Sequence, residues 1–202
     1  MNELTKNLTK DKILRTAAKM FSEKGYNRVT TREIAKAIGI NSASIYYHFS
    51  SKEDIRKSLY QIYSEKLRSE RPNLNELLQL VETKAPHEVL MNTEFHFSEE
   101  WQGFLDQILV TAAREITADP DSERFIKENI FDSIENVVKP LLIRLVELGK
   151  IKPFDINAFV HTLSYYCFSA AALNNSSFGQ NVAEYQAGMS LLFSSIVFTE
   201  RD

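Results

Sequence analysis

The sequence predicts an all-α protein, with a small N-terminal three-helix domain and a larger helical body. Three observations predict it. Apolar residues recur three or four apart along most of the chain, the spacing of an amphipathic helix. Punctuation is sparse, because 202 residues contain only 6 Gly and 5 Pro, too few for a turn-rich β protein. From Val29 to Lys52, VTTREIAKAIGINSASIYYHFSSK reads as a helix, a tight turn and a second short helix, the layout of a helix-turn-helix. The expected division is 1–51 for the small domain and 52–202 for the body.

The first helix places Ile13, Ala17, Met20 and Phe21 on one face. Thr9 is its expected cap and Gly25 its stop, with Tyr26 packed just beyond. Lys6 and Lys10 stand where they can add phosphate contacts. In the second helix Thr30 and Glu33 form a T-x-x-E capping box, and Val29 with Ile34 has the spacing of a hydrophobic staple. Ile34, Ala35 and Ile38 face a small core, and Gly39 supplies the positive φ of the turn. Asn41 caps the third helix, whose Ile45 and Phe49 point inward.

That leaves Ser42, Ala43, Ser44, Tyr46, Tyr47 and His48 largely outward. Small residues let a helix approach base edges, and Tyr and His tips reach phosphates and groove edges. The expected DNA contacts are therefore Ser42, Ser44 and Tyr46 nearest the bases and Thr31, Tyr47, His48 and Lys52 on phosphates, with Arg32 and Ala43 also at the DNA. Lys52 follows the Ser50–Ser51 cap candidates at the start of the next helix. A cation there opposes the helix dipole, but it strengthens a phosphate site. Charge agrees with this assignment. Residues 1–57 hold 12 Lys+Arg and 6 Asp+Glu, a surplus of +6, while residues 58–202 hold 12 and 21, or −9. A basic end on an acidic body suits phosphate contact at one end only.

The run from Ile13 to Ile55, ILRTAAKMFSEKGYNRVTTREIAKAIGINSASIYYHFSSKEDI, resembles the DNA-binding domain of the TetR family of bacterial transcriptional regulators. It carries A-A-x-x-F, G-Y, T-T-x-E-I-A, the G-I turn, I-Y-Y-H-F and S-K-E-D-aliphatic in register, with Ile55 where leucine is commoner. The resemblance covers about a quarter of the chain. It implies an all-helical homodimer bound to operator DNA, and a C-terminal domain that takes a small molecule and releases the DNA.

Further helices are expected at Lys52 to about Arg68, Asn73 to about Val81, Pro86 to about Phe97, and Ser98 to about Thr117. Another should run from Asp119–Pro120 to Gly149, with Pro140 kinking it. The Lys52 helix is the natural lever between head and body. Asp155 caps a helix to about Leu173, and a last helix spans about 182–198. The small residues of these two, Ala170, Ala171, Ala183, Ala187, Gly188, Ser190 and Ser194, together with Leu191, are the expected interface of an isologous dimer built as a four-helix bundle.

A pocket for a largely apolar effector is expected along Phe97, Trp101, Phe104, Leu105, Ile108, Phe131, Tyr165 and Tyr166. His87, His96 and His161 lack metal-ligand spacing, so they read as a helix-terminus residue and two partly buried histidines, and no metal or cofactor is expected. An enzyme fails on inventory, since G-x-S-x-G, H-E-x-x-H, C-x-x-C and a glycine-rich phosphate loop are all missing. The single Cys167 excludes an intrachain disulfide and fits a cytoplasmic location. The opening MNELTKNLTK is too polar for a signal peptide, and no stretch reaches the ~18 apolar residues of a membrane span. The reading is a ligand-released repressor; the alternative is an architectural or activating DNA-binding protein without an effector.

Overall fold

Ten α-helices, one 3-10 turn and one π turn supply the helical structure of the described residues up to Leu173 in a computed structural model of the chain. Those residues are 3–70, 72–91, 98–173, 187, 188 and 191. The helices are α1 Glu3–Lys24, α2 Thr31–Ala37, α3 Ser42–His48, α4 Lys52–Glu70, α5 Leu74–Thr83, α6 Pro86–Met91, α7 Glu99–Glu115, α8 Pro120–Ile126, α9 Asp132–Glu147 and α10 Ile156–Leu173. None of the described helices is long and apolar enough to cross a membrane. Packing divides the chain into two compact units. One takes residues up to Lys66 and the stretch ending at Phe125; the other takes the segment beginning at Leu67 and the chain from Ile126 on. The division 1–51 and 52–202 is one of expected role, and these units are cut differently.

In the first unit α1 packs on α7 and α2, and α2 packs on α3. Ile13, Ala17 and Phe21 of α1 are fully buried, as are Ile34, Ile45 and Ile55 of the next three helices. The α1 helix begins at Glu3, six residues before the expected cap at Thr9. No Gly or Pro interrupts 3–24, and an Asp11–Arg15 pair at 3.0 Å braces its middle. Gly25 at φ 87 stops it, and Tyr26–Arg28 makes one 3-10 turn before α2. Phe104, Leu105 and Ile108 form the buried face of α7.

The second unit has its own core, in which Leu77, Val81, Leu141, Leu142, Leu145, Val160 and Leu163 are nearly or wholly buried. α9 packs on α5 and α10. The stretch expected as one helix from Asp119 to Gly149 is helical from Pro120 to Glu147, but a π turn at Lys127–Phe131 interrupts it. Such a turn adds a residue and re-phases the apolar stripe. Ile130, Val137, Leu141 and Leu145 then face inward, with Pro140 inside α9 and Gly149 at φ 65 behind it. Lys150 ties this end to α5, donating to the carbonyls of Val81, Glu82 and Lys84 at 2.6, 3.1 and 3.0 Å. A cation there complements the negative end of α5 and occupies carbonyls the helix cannot pair.

Asp155 caps α10, accepting from Ala158 N at 2.9 Å. Val160, Leu163 and Ala171 are buried, while Tyr165 and Leu173 are exposed. His161, expected to be partly buried, is exposed. Ala170 and Gly188 are half-buried and Ala187 and Leu191 exposed, whereas Ala183, Ser190, Ser194 and most of the expected final helix lie outside the described residues. A Cβ on Gly188 would overlap the Tyr166 hydroxyl, so within the subunit this glycine makes room for that ring.

Candidate DNA-binding site

The site is built on two capped helices and a glycine turn. Thr30 Oγ1 accepts from Glu33 N at 3.2 Å, and the Glu33 carboxylate accepts from Thr30 N and Oγ1, both at 2.8 Å. These bonds hold the Glu33 carboxyl below its ordinary pKa. Val29 and Ile34 are both fully buried, as the staple spacing requires. Gly39 at φ 71 turns the chain, and Asn41 Oδ1 accepts from Ala43 N at 3.0 Å to start α3. Ile45 and Phe49, 0% and 2% exposed, fix the inner face of α3.

The outer face follows from that anchoring. Tyr46 and Tyr47 are 57% and 62% exposed, Ala43 and Arg32 are exposed, and Thr31, Ser42, Ser44 and His48 are half-buried. Thr31 Oγ1 and Tyr46 Oη lie 3.2 Å apart, a hydrogen bond that ties the start of α2 to the middle of α3. The Tyr47 ring meets His48 edge-on at 5.2 Å. The result is a short helix with small residues at its start, flanked by two outward hydroxyls. It can present close-approach and hydrogen-bonding groups to a polar groove.

Lys52 departs from the expectation. Its ammonium turns inward and donates to the carbonyls of Tyr26 and Val29 at 2.9 and 3.0 Å, 4.2 Å from the Tyr26 ring centroid. Burial lowers its pKa. Two of its three donors are therefore used within the protein, because the loop before α2 brings those two carbonyls beside the first residue of α4. Ser51 caps α4 by accepting from Asp54 N at 3.0 Å, and Asp54 accepts from Ser50 N at 2.8 Å.

Sequence reasoning missed the residues behind this face. Arg56 is buried and donates to Asp119 Oδ1 at 2.8 Å, with Tyr26 at 4.7 Å and Tyr60 at 5.9 Å from its guanidinium. Asp119 Oδ2 accepts from Ser122 N at 2.7 Å and Ser122 Oγ at 2.6 Å. With the only hydroxyl proton of Ser122 used, Tyr60 is the donor in its 2.8 Å contact with Ser122 Oγ. Burial pushes Tyr60 up to about 12, which keeps that proton in place. Asn27 donates to Glu115 at 3.2 Å, and Arg114 donates to the Ser22 carbonyl. The end of α7 is thus bonded to α1 and to the turn before α2, and Asp119 in the turn after it is bonded to α4. The only local signal was Arg56 beside the apolar Ile55 and Leu59.

Among the residues expected to line an effector pocket, Phe104, Leu105 and Ile108 are buried in the first unit. Trp101 is half-buried there, with Arg15 at 5.7 Å and Lys66 at 4.9 Å from its ring centroid. In the second unit Phe131 and Tyr165 meet edge-on at 5.6 Å, and Tyr166 is half-buried. Phe97 lies outside the described residues.

A capped helix, a glycine turn and an outward second helix on an all-helical scaffold define a helix-turn-helix DNA-binding protein. The sequence model of bacterial regulatory proteins of the tetR family matches residues 13–59. Over those residues the chain is similar to that family. It is 35% identical over 88 residues to the biofilm operon icaADBC HTH-type negative transcriptional regulator IcaR of Staphylococcus aureus (strain Newman), a match spanning 44% of each chain. The chain thus covers less than half the length of that curated relative. The TetR-family regulator PfmR of Thermus thermophilus superposes with TM-score 0.63 at 24% identity, over 95% of this chain and 97% of its own. A putative regulator from Saccharomonospora viridis in complex with choline superposes at 0.64 and 20% identity, over 96% and 100%. These two likenesses concern the fold.

Proposed function

We propose that this chain is a dimeric transcriptional repressor that leaves its operator when a small, largely apolar molecule binds its helical body. The observation that carries the reading is α3, held at Ile45 and Phe49 with its small residues and two tyrosines turned outward. Ser42, Ala43, Ser44 and Tyr46 read bases in a major groove, while Thr31, Arg32, Tyr47 and His48 contact the backbone. The negative regulator of a biofilm operon among its relatives supports repression. Choline in a structural neighbour supports a fold able to house a small molecule.

Two half-sites require two heads. Large apolar side chains exposed on the second unit, Ile143, Tyr165, Leu173 and Leu191, support a dimer built from that unit. The bonds from the end of α7 to Ser22 and Asn27, and from Asp119 to Arg56, supply a route by which an effector acts on the helix-turn-helix. To take occupancy from nearly full to nearly empty, the effector must favour the released state by ~5.5 kcal/mol.

The test is fluorescence-anisotropy binding of the full chain to DNA flanking its own gene, with a scrambled duplex at the same salt. Binding tighter than the control by ~10³-fold or more supports a sequence-specific regulator. Equal, salt-sensitive binding to both favours an architectural protein, and no binding at low salt overturns the reading. Release by a screened small molecule separates the effector-responsive repressor from an activator or architectural binder without one.

A further inference from the structure

The first turns of α1 lie outside the core. The helix begins at Glu3, but among the described residues its buried face starts at Ile13. From Asn7 to Lys12, Thr9 is half-buried and the other residues are exposed, Leu8 at 58%. Helix that buries nothing gains little from propagation alone, so this overhang is open to a partner outside the chain.

Its place in the head identifies that partner. Lys10 is exposed, and its ammonium lies 5.6 Å from the centroid of the Phe49 ring. Phe49 is 2% exposed and closes α3, its N–H donating to the Ile45 carbonyl at 2.9 Å. The ammonium therefore sits at the C-terminal end of α3, the end that carries Tyr47 and His48. The neighbouring Asp11 is taken by Arg15 at 3.0 Å, and Lys10 has no acidic partner among the described residues. The Phe49 ring steadies the ammonium without using any of its three N–H donors, which stay available to phosphate oxygens.

We infer that the overhang of α1 is a second backbone contact of the head, in which Lys10 neutralises a phosphate of the strand held by Tyr47 and His48. This rests on the DNA-binding reading above and extends its footprint beyond α2 and α3. Phosphates recur every ~3.4 Å of rise along one strand, so a strand seated against the end of α3 presents its next phosphate to a cation beside Phe49. A cation at this end of α3 also complements the helix dipole, a role confined to the protein.

Salt dependence separates the two roles, because each phosphate neutralised by a side chain adds ~0.9 to the slope of log K against log salt. The experiment takes the full chain, Lys10→Gln, Lys10→Arg and Lys19→Gln, each with its melting temperature measured by circular dichroism. Lys19 is exposed on the same helix, so its variant makes the same change in net charge away from Phe49. Binding to a duplex of the DNA flanking its own gene and to a scrambled duplex is followed over a salt series. Lys10→Gln should weaken both duplexes alike and flatten the slope by ~0.9 for each head engaged, while Lys10→Arg and Lys19→Gln keep the wild-type slope.

A lower melting temperature with an unchanged slope in Lys10→Gln assigns the lysine to the dipole of α3 and overturns the contact. Equal flattening in Lys19→Gln also overturns it, because net charge then accounts for the effect. A wild type that binds neither duplex at low salt removes the DNA-binding reading and this contact together. Wild-type binding with an unchanged slope in Lys10→Gln removes this contact alone.

Discussion

Replacing Asp119 with alanine should destabilise the first unit far more than its position in a surface turn suggests. The side chains of Arg56 and Asp119 are only 5% and 17% exposed. Removing the carboxylate strands the guanidinium, whose Nε already has no hydrogen-bond partner among the described residues. Asp121 is a poor substitute at 3.9 Å, because its carboxylate already pairs with Lys57 at 3.3 Å. Stranding one member of a buried pair costs ~3–5 kcal/mol, and the flanking Tyr26 and Tyr60 rings argue for the lower end, ~3. Loss of the cap on α8, two hydrogen bonds to Ser122, adds ~1 kcal/mol. The total of ~4 kcal/mol corresponds to a fall in Tm of roughly 8–16 °C for a chain of this size.

Thermal unfolding by circular dichroism at one fixed protein concentration reads this directly. Adding Arg56→Met should recover part of the loss, because the unpaired charge then disappears. A fall of less than ~4 °C for Asp119→Ala, or a double variant no more stable than the single, would refute the assignment of the pair as a buried, mutually dependent unit. The pH dependence gives a second reading. Burial pushes the Asp119 carboxyl up, but the Ser122 hydrogen bonds and Arg56 outweigh it and leave the carboxyl below its ordinary 3.8. A carboxylate depressed by folding contributes stability that is full above the unfolded value and is lost as pH falls through the folded one. The gap between wild type and Asp119→Ala should therefore be widest near neutrality and shrink as pH falls below 3.8.

Other positions give sharper but smaller effects. Lys150→Met removes three hydrogen bonds from the end of α5 and should cost about 2 kcal/mol in thermal unfolding, with faster amide exchange confined to the last turn of that helix. Uniform exchange across the second unit would count against a local cap. At Gly39 a Cβ meets nothing within 4 Å, so Gly39→Ala isolates the cost of φ 71, about 1 kcal/mol, and Gly39→Asn should be milder; equal Tm values for all three would show that the turn is not constrained. Thr30→Ala breaks the capping box and should lower stability by about 1 kcal/mol in chemical denaturation. Ser44→Gln should change the preferred base in a binding-site selection while leaving the salt slope of wild type; an unchanged preference would move base reading away from that position.

The features legible in residue order alone lie within one or two helical turns. The capping box of Thr30 and Glu33, the positive φ of Gly39, the Asn41 cap and the inward pair Ile45 and Phe49 are all where the residue spacing puts them. Each depends on neighbours three or four residues away, so the covalent chain alone brings the partners together. Regulatory proteins of the tetR family share enough of these local signals between 13 and 59 for the likeness to be legible as well. The start of α1 was misplaced because Thr9 offers a cap that a helix without breakers does not need.

The partners of charge, by contrast, were set by packing. Lys52 reads as a phosphate cation because its sequence neighbours are caps and acids. It turns inward because carbonyls 26 and 23 residues away, in the turn before α2, converge on it in the folded chain. Arg56 finds Asp119 across 63 residues, and Tyr46 finds Thr31 across 15. Long side chains carry their charge several ångströms from the backbone, and the helical spacing that fixes a Cβ direction leaves the far end of the chain undetermined. Burial then selects the conformer that pairs every donor it can, since an unpaired buried charge costs more than any surface contact returns.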